Sequence, residues 1–83
     1  MSHADDVRAY CGQKYIDPAR LAGKATIEIR SGDVHGAMNY KNRYPLVCSA
    51  IGAQIFESEY HLRRLAVDGP LNGANTLFRF QLL

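Results

Sequence analysis

Residues 26–55, TIEIRSGDVHGAMNYKNRYPLVCSAIGAQI, decide how this chain folds. Apolar and polar residues alternate over 25–30, and this period of two is typical of a strand with one buried face. Ser31 is a favourable N-cap residue, and Asp33 places a negative charge where the helix dipole favours it. The sequence therefore predicts a strand that ends at Arg30 and a helix that starts beside Ser31.

A short helix, a tight turn and a longer helix are predicted after this strand. Val34 and Met38 have the i, i+4 spacing of an apolar helix face, and Asn39 suits a left-handed residue at the end of the helix. Asn42 can cap a second helix that has Pro45 in its first turn. The apolar stripe of that helix is predicted to consist of Tyr44, Val47, Cys48, Ile51 and Ile55.

Two further strands are predicted around a loop rich in turn-forming residues. Leu65 and Val67 fall on one face of the first strand, and Phe78 and Phe80 fall on one face of the second. The intervening residues 68–75 consist largely of Asp, Gly, Pro and Asn, which favour turns. The pattern predicts a β-hairpin.

The N-terminal part of the chain is predicted to supply a supporting helix. Residues 4–15 carry apolar side chains at near-helical spacing. Asp17 and Pro18 are suited to the cap and first position of a shorter helical turn that runs through Leu21. The predicted fold class is therefore α+β.

Length and composition predict one small globular domain that spans residues 1–83. An apolar content of 47% is typical of such domains. The sequence contains no apolar run of about 18 residues and no basic and apolar leader, so we expect a cytoplasmic protein without membrane association. Cys11 and Cys48 fall on apolar helix faces and are expected to be reduced core residues. We expect no metal or cofactor.

The basic residues are concentrated near the predicted pair of helices. The formal net charge is only +2, yet basic residues outnumber acidic ones between Arg20 and Arg43. Arg63, Arg64 and Arg79 lie close to the predicted hairpin. A folded molecule could therefore present one positive face that attracts phosphate. The alternative is a mixed surface of ordinary solvated charges.

The order of these elements resembles the winged helix-turn-helix DNA-binding superfamily. The resemblance rests on TIEIR before SGDVH, followed by KNRYP at the start of a helix, and it covers nearly the whole chain. It implies a winged helix, with a three-helix core, a small antiparallel β-sheet and a β-hairpin wing. It also implies that double-stranded DNA is the partner and that the protein takes part in transcription regulation.

In a helix-turn-helix, the N-terminal end of the second helix reaches base edges in the major groove. Here that end consists of Lys41, Asn42, Arg43 and Tyr44. Arginine can pair with guanine and asparagine with adenine, whereas lysine suits a phosphate. Arg43 is thus the strongest candidate. Asn42 has a competing role as an N-cap, and Tyr44 has one as a core or interface aromatic residue.

Further candidate contacts lie outside that helix end. His35 is interpreted as a surface or phosphate-contacting residue. The remaining candidates for contacts to DNA are Arg30, Arg63, Arg64, Asn72 and Asn75. The predicted wing has no Lys or Arg between Asp68 and Asn75. It could therefore lie along the DNA backbone, form a dimer or contact another protein.

Catalysis is not expected, because the three histidines are scattered and no nucleophile, base or metal-ligand motif accompanies them. The alternative to DNA binding is a winged-helix module for protein interaction, or a subunit of a larger complex. The residues that would form such a contact are Tyr40, Tyr44, Tyr60, Leu71 and Leu83. A homodimer that pairs through residues 78–83 is a further possibility.

Overall fold

The computed structural model describes residues 2–70 and 72–83, which form helical segments and three strands. The elements are α1 (His3–Cys11), a π-helix (Gly12–Ile16), α2 (Asp17–Leu21), β1 (Thr26–Arg30), α3 (Ser31–Ala37), α4 (Tyr44–Gly52), α5 (Gln54–Tyr60), β2 (Leu62–Asp68) and β3 (Leu77–Leu82). This order confirms the predicted α+β class. The described residues include no helix that is long and apolar enough to cross a membrane.

The three strands form an antiparallel sheet with the order β1-β3-β2. Ile27 pairs with Phe80, and Ile29 pairs with Phe78. Directly opposed residues of an antiparallel pair share one face of the sheet, and all four of these side chains are buried. The alternation read from the sequence of β1 therefore defines the inner face of the sheet, as predicted.

The strand prediction is wrong at Leu65. The pairing between β2 and β3 shifts register between Arg64 and Ala66, which leaves Leu65 without a partner on β3. Leu65 is 48% exposed, because the extra residue at the shift takes its side chain out of the alternation of the strand. Val67, beyond the shift, is partly buried and packs against the core.

Helices cover the inner face of the sheet. The ring of Phe56 in α5 meets the ring of Phe80 edge to face at a centroid distance of 5.4 Å. Cys11 of α1 and Cys48 of α4 are both free and buried, which confirms their predicted place in the core. Burial of the Cys11 side chain raises the pKa of its thiol to about 12, because an apolar environment disfavours the thiolate.

The predicted first helix consists of an α-helix, α1, followed by the π-helix. The Ser2 hydroxyl accepts the Asp5 N–H at 3.1 Å and caps α1, and the chain continues from α1 into the π-helix. Gly12 begins that π-helix beside the ring of Tyr60, and a Cβ at this position would collide with the ring. The helical turn predicted through Leu21 is α2, but its N-cap is Ile16 and not Asp17, so Pro18 is its second residue and not its first. The wider turn lets the backbone pass close to α5.

The prediction of one helix through Ile55 is wrong. Ala53 adopts an extended conformation (φ −74°, ψ 142°) that separates α4 from α5. Ile55, which the helical stripe of α4 was predicted to include, is 47% exposed. Phe56 is fully buried in its place. The break redirects the chain so that α5 packs its phenylalanine against the sheet.

Candidate nucleic-acid interface

The turn between α3 and α4 contains two left-handed residues. Asn39 has φ 58° and Asn42 has φ 55°. Asparagine tolerates this conformation better than most residues, and Asn39 takes the role predicted for it. Asn42 was predicted to cap α4, but Arg43 occupies the N-cap position. That prediction is wrong because Asn42 completes the turn, and its side chain is exposed.

His35 joins the two helices of this pair. Its Nε2 accepts the backbone N–H of Arg43 at 3.1 Å, and its ring stacks on Tyr44 at a centroid distance of 4.0 Å. Only 6% of His35 is exposed, so its interpretation as a surface or phosphate-contacting residue is wrong. The arginine that the structure places at the N-cap has no side-chain acceptor to offer α4, and no signal in the sequence indicated that His35 supplies one.

Lys41 and Arg43 are exposed cations at the start of α4. Among the described residues, neither side chain has an ion-pair or hydrogen-bond partner. The sequence has no acidic residue between Asp33 and Glu57. Both of these carboxylates are engaged, Asp33 with the Arg30 guanidinium at 3.1 Å and Glu57 with the backbone N–H of Arg64 at 2.8 Å. Among the described residues, neither carboxylate forms an ion pair with Lys41 or Arg43.

The guanidinium of Arg30 is hydrogen-bonded to the loop between β2 and β3. Its guanidinium donates to Asp33 and to the side-chain oxygen of Asn75. The guanidinium of Arg30 is thus engaged within the protein, and Arg30 and Asn75 are brought together as a structural pair. Both residues remain exposed.

The loop predicted as the wing is folded back onto the start of α3. The backbone N–H of Ser31 donates to Thr76 O at 2.9 Å, and that of Gly32 donates to Ala74 O at 2.9 Å. The hydroxyl of Ser31 donates to Gly73 O. Two of the free N–H groups in the first turn of α3 are therefore satisfied by the loop. Ser31 was predicted to cap α3, but Arg30 is the N-cap residue and Ser31 anchors the loop.

Within the loop, the buried Thr76 forms side-chain hydrogen bonds to the loop backbone. The hydroxyl of Thr76 donates to Pro70 O and accepts the Gly73 N–H. Gly69 has φ 89°, and a Cβ at this position would collide with the carbonyl oxygen of Asn75. Asn72 is exposed and left-handed, with φ 57°. Asn72 is thus available at the surface of a loop that is itself tied to α3.

The two adjacent arginines of β2 lie on opposite faces of the sheet. Arg64 pairs with the buried Phe80, and its guanidinium donates to the carbonyl oxygen of Gly52 at the end of α4 at 3.3 Å. Arg63 pairs with Gln81, so its side chain lies on the outer face, away from the helices. The structure therefore brings Arg64, but not Arg63, to α4.

The solvent face of α4 carries no charge. Pro45 and Ser49 are exposed and Leu46 is half-buried, whereas Val47 and Cys48 face the core. None of the residues Tyr44–Gly52 is ionisable except Tyr44 and Cys48. The base-reading residues were predicted at the start of this helix, and the uncharged exposed side was not predicted. The absence of any charged residue over 44–56 was the available signal.

The residues proposed for a protein contact are dispersed. Tyr40 and Tyr44 both lie against His35, whereas Tyr60 packs on Phe56 in the core. Leu83 is 60% exposed. Leu71 lies outside the described residues.

A separate cleft lies at the edge of β1, beside the outer face of the sheet. Its volume is about 710 Å³, and its lining includes Lys14, Pro18, Lys24, Glu28 and Arg79. The ion pair between Glu28 and Arg79, at 2.9 Å, forms part of the wall, and its hydrogen bond raises the pKa of Arg79. The residues that line this cleft are distinct from those of the α3–α4 turn. Among the described residues, no group of His, Cys, Asp or Glu side chains is arranged to hold a metal ion.

No protein-family model, curated protein or solved structure matches this chain. Its function therefore has to be argued from its own geometry.

Proposed function

We propose that this chain is a winged-helix protein that binds double-stranded DNA, with a role in transcription regulation. The contact surface would consist of the α3–α4 turn, the solvent face of α4 and Arg64, and we call it the α4 surface. The element order supports this proposal: one strand, two helices joined by a short turn, a further helix and a hairpin. In a helix-turn-helix, the helix in the position of α4 enters the major groove.

The observation that carries the proposal is the unpaired positive charge at the start of α4. Lys41 and Arg43 are exposed and have no partner among the described residues, and the sequence around them lacks acidic residues from 34 to 56. Phosphate neutralisation supplies much of the affinity of proteins for DNA. Arg43 is the N-cap residue of α4, and Arg64 of β2 donates to the Gly52 carbonyl at the other end of the helix, so a cation lies near each end.

The candidate residues take different roles in this proposal. Arg43 would contact a base edge or a phosphate, Lys41 would contact a phosphate, and Arg64 would contact the backbone at the other end of α4. His35 and Tyr44 would position the helix start instead of touching DNA. We propose that the protein acts by binding alone, without a catalytic step.

The loop between β2 and β3 would make a smaller contribution to DNA binding. Asn72 is exposed and could donate to a phosphate. Arg30 and Asn75 hold the loop on α3, so their contribution to DNA binding would be mainly structural. Arg63, on the outer face of the sheet, would contribute least of the candidate cations.

Fluorescence anisotropy with a labelled mixed-sequence duplex tests this proposal. We expect Arg43→Ala to weaken binding at least about fivefold at 50 mM salt, since a base or charged phosphate contact is worth 1 kcal/mol or more. Arg63→Ala is the matched control, because it removes the same charge from an exposed position on the opposite face. Arg63→Ala should change affinity less than about twofold.

Two results would overturn the proposal. The first is an absence of binding by the wild-type protein at 50 mM salt. The second is an equal loss of affinity in both arginine variants, which would indicate a general charge effect instead of a contact through α4.

A protein-binding module is the second candidate function, and the apolar solvent face of α4 favours it. Pro45 is exposed and Leu46 is half-buried on this helix, and neither side chain can form a hydrogen bond with a base edge. An interface of this kind would change little with salt, whereas phosphate contacts release counterions and weaken. Repeating the titration at about 50 and 200 mM salt therefore separates the two candidates.

A further inference from the structure

The two edge strands of the sheet, β1 and β2, differ in how their outer edges are covered. On β2, the pairing shifts register between Arg64 and Ala66, and the carboxylate of Glu57 accepts the Arg64 N–H at 2.8 Å. A bulge and a covering side chain both hinder the addition of another strand. In contrast, β1 pairs with β3 in continuous register. The described residues place neither a bulge nor a covering carboxylate on its edge.

The backbone groups of Thr26 and Glu28 point away from β3. The N–H of Leu82 donates to Ala25 O at 2.8 Å. Since hydrogen-bonded pairs alternate along an antiparallel ladder, the two isoleucines of β1 bond to β3, whereas Thr26 and Glu28 face the free edge. Within residues 2–70 and 72–83, no other segment forms a backbone hydrogen bond to these two residues. Their N–H and C=O groups can therefore pair with a further strand.

The cleft of about 710 Å³ described above is lined by these same two residues, and we call it the β1 cleft. Thr26 and Glu28 line it on the strand side. On the helical side its lining includes three small side chains, those of Pro18, Ala19 and Ala22. The volume lies in the usual range of ligand sites. The edge of β1 thus borders an open space that an extended segment could enter.

The charged groups of the β1 cleft favour an acidic occupant. Lys14 and Lys24 line the cleft and are exposed. In the part of the chain that the structure describes, neither ammonium group has an ion-pair partner. The carboxylate of Glu28 is already paired with Arg79 at 2.9 Å. The unpaired charge of the lining is therefore positive, and negative side chains complement it.

The free edge restricts the occupant further. The oxygens of a phosphate group accept hydrogen bonds but cannot donate one to the C=O groups of Thr26 and Glu28, whereas a peptide backbone offers both donors and acceptors. A second copy of this chain paired through β1 would bring another Lys14 and Lys24 to the edge. Like charges at such a contact are unfavourable. The observations therefore favour a peptide of opposite charge.

We propose that the β1 cleft binds an extended peptide segment that contains acidic and small apolar residues and adds to β1 as a further strand. Main-chain hydrogen bonds to Thr26 and Glu28 provide the pairing, as in other complexes formed by strand addition. Lys14 and Lys24 select the acidic side chains. The site is separate from the α4 surface, so the inference does not rest on DNA binding.

Three labelled peptides of about seven residues test the pairing, a length suited to a strand. The first alternates glutamate with valine, the second replaces each glutamate by lysine, and the third is the acidic peptide with every backbone nitrogen methylated. Fluorescence anisotropy at low ionic strength gives the affinity of each. We expect the acidic peptide to bind, the lysine peptide to show no measurable binding, and methylation to weaken binding about tenfold or more through lost backbone hydrogen bonds.

Two results of these titrations would overturn the proposal. The first is an absence of binding by the acidic peptide. The second is equal binding of the methylated and unmethylated acidic peptides, which would indicate attraction between charges without strand pairing.

Amide hydrogen exchange measured by NMR locates the peptide on the strand. With the acidic peptide at saturation, we expect the amides of Thr26 and Glu28 to exchange about tenfold more slowly or less. Those of Ile27 and Ile29, which bond to β3, should not change. Protection confined to other segments would overturn the assignment to β1. Protection of Thr26 and Glu28 that rises with protein concentration alone would identify a second copy as the occupant and overturn the peptide proposal.

Charge variants test the role of the two lysines. Lys14→Gln combined with Lys24→Gln should weaken binding of the acidic peptide about fivefold, since each exposed ion pair contributes modestly. Arg63→Gln is the control, because it removes a cation from β2 at the opposite edge of the sheet, and it should change affinity less than about twofold. An equal loss in the double variant and the control would contradict selection by Lys14 and Lys24.

Discussion

At the scale of single residues, His35 decides where the candidate recognition helix begins. The backbone N–H groups of the first turn of a helix need acceptors from outside the helix, and Arg43 at the N-cap supplies none from its side chain. The imidazole of His35 provides one through Nε2. A nitrogen that accepts this bond carries no proton of its own, so the contact uses the neutral ring.

Replacement of His35 by phenylalanine would keep a ring against Tyr44 but remove the acceptor. We expect His35→Phe to lower the free energy of unfolding by about 1 kcal/mol, the usual contribution of such a hydrogen bond or cap. Urea unfolding followed by circular dichroism measures this change. His3→Phe is the control, because His3 is exposed on α1, and its effect should stay within about 0.5 kcal/mol. Equal stability of His35→Phe and wild type would refute the capping role.

Cys11 is expected to be inert in the folded protein. Burial raises the pKa of its thiol to about 12, and the thiolate is the form that reacts with alkylating agents. We expect iodoacetamide at pH 9 to modify Cys11 slowly in the native protein and rapidly in urea, as measured by mass spectrometry of the peptides. Comparable rates in the two states would show that the thiol is accessible in the fold.

The same pKa shift makes stability fall at high pH. The unfolded chain releases the Cys11 proton near the ordinary pKa of 9.0, whereas the folded chain keeps it up to about 12. The contribution of the protonated thiol is therefore fully present below pH 9 and declines as the pH rises towards 12.

At the scale of elements, the loop between β2 and β3 acts as a brace for α3. Carbonyl groups of the loop accept hydrogen bonds from the N–H groups of Ser31 and Gly32. The hydroxyl of Thr76, near the end of the loop, bonds to Pro70 and Gly73. A hairpin loop fixed in this way is less free to enter a groove than a projecting wing. The uncharged composition of residues 69–75 agrees with a bracing role.

Thr76→Val tests this brace. Valine has nearly the same shape but removes the hydroxyl that binds Pro70 O and the Gly73 N–H. We expect the free energy of unfolding to fall by about 1–3 kcal/mol, because buried polar groups lose their partner. Thr26→Val in β1 is the matched control, since Thr26 is exposed. Equal midpoints in urea for the two variants would contradict the bracing role of Thr76.

At the scale of the whole molecule, the proposed DNA binding depends more on where the charges lie than on the net charge. The formal net charge is only +2, but several cations are committed to internal partners. The guanidinium of Arg8 binds Asp5, that of Arg20 binds carbonyl groups near Tyr60, and that of Arg79 binds Glu28. Lys41 and Arg43 are left to set the potential around the start of α4.

The salt dependence of binding should report how many of these cations meet phosphate. Three contacts, from Lys41, Arg43 and Arg64, would give a slope of log affinity against log salt of about −2.7. Arg43→Ala should reduce the magnitude of this slope by about 0.9 if Arg43 contacts a phosphate. Titrations at several salt concentrations provide the slope. A slope near zero would exclude phosphate contacts as the source of affinity.

The sequence by itself determined the elements that depend on neighbours along the chain. The alternation of β1, the proline at the start of α2 and the left-handed Asn39 are all local preferences, because they arise from backbone sterics and side-chain spacing. The α+β class and the burial of both cysteines followed from the same patterns. The winged-helix assignment and the DNA-binding residues remain proposals that rest on this order of elements.

Only the tertiary structure decided the features that depend on residues distant in sequence. The break at Ala53 lets Phe56 reach Phe80, and the exposure of Leu65 follows from its pairing with β3. His35 became the acceptor for α4 because the turn brings Arg43 to its ring. Packing of this kind overrides local preference, since burial of an aromatic ring is worth more than the helix propensity of one residue.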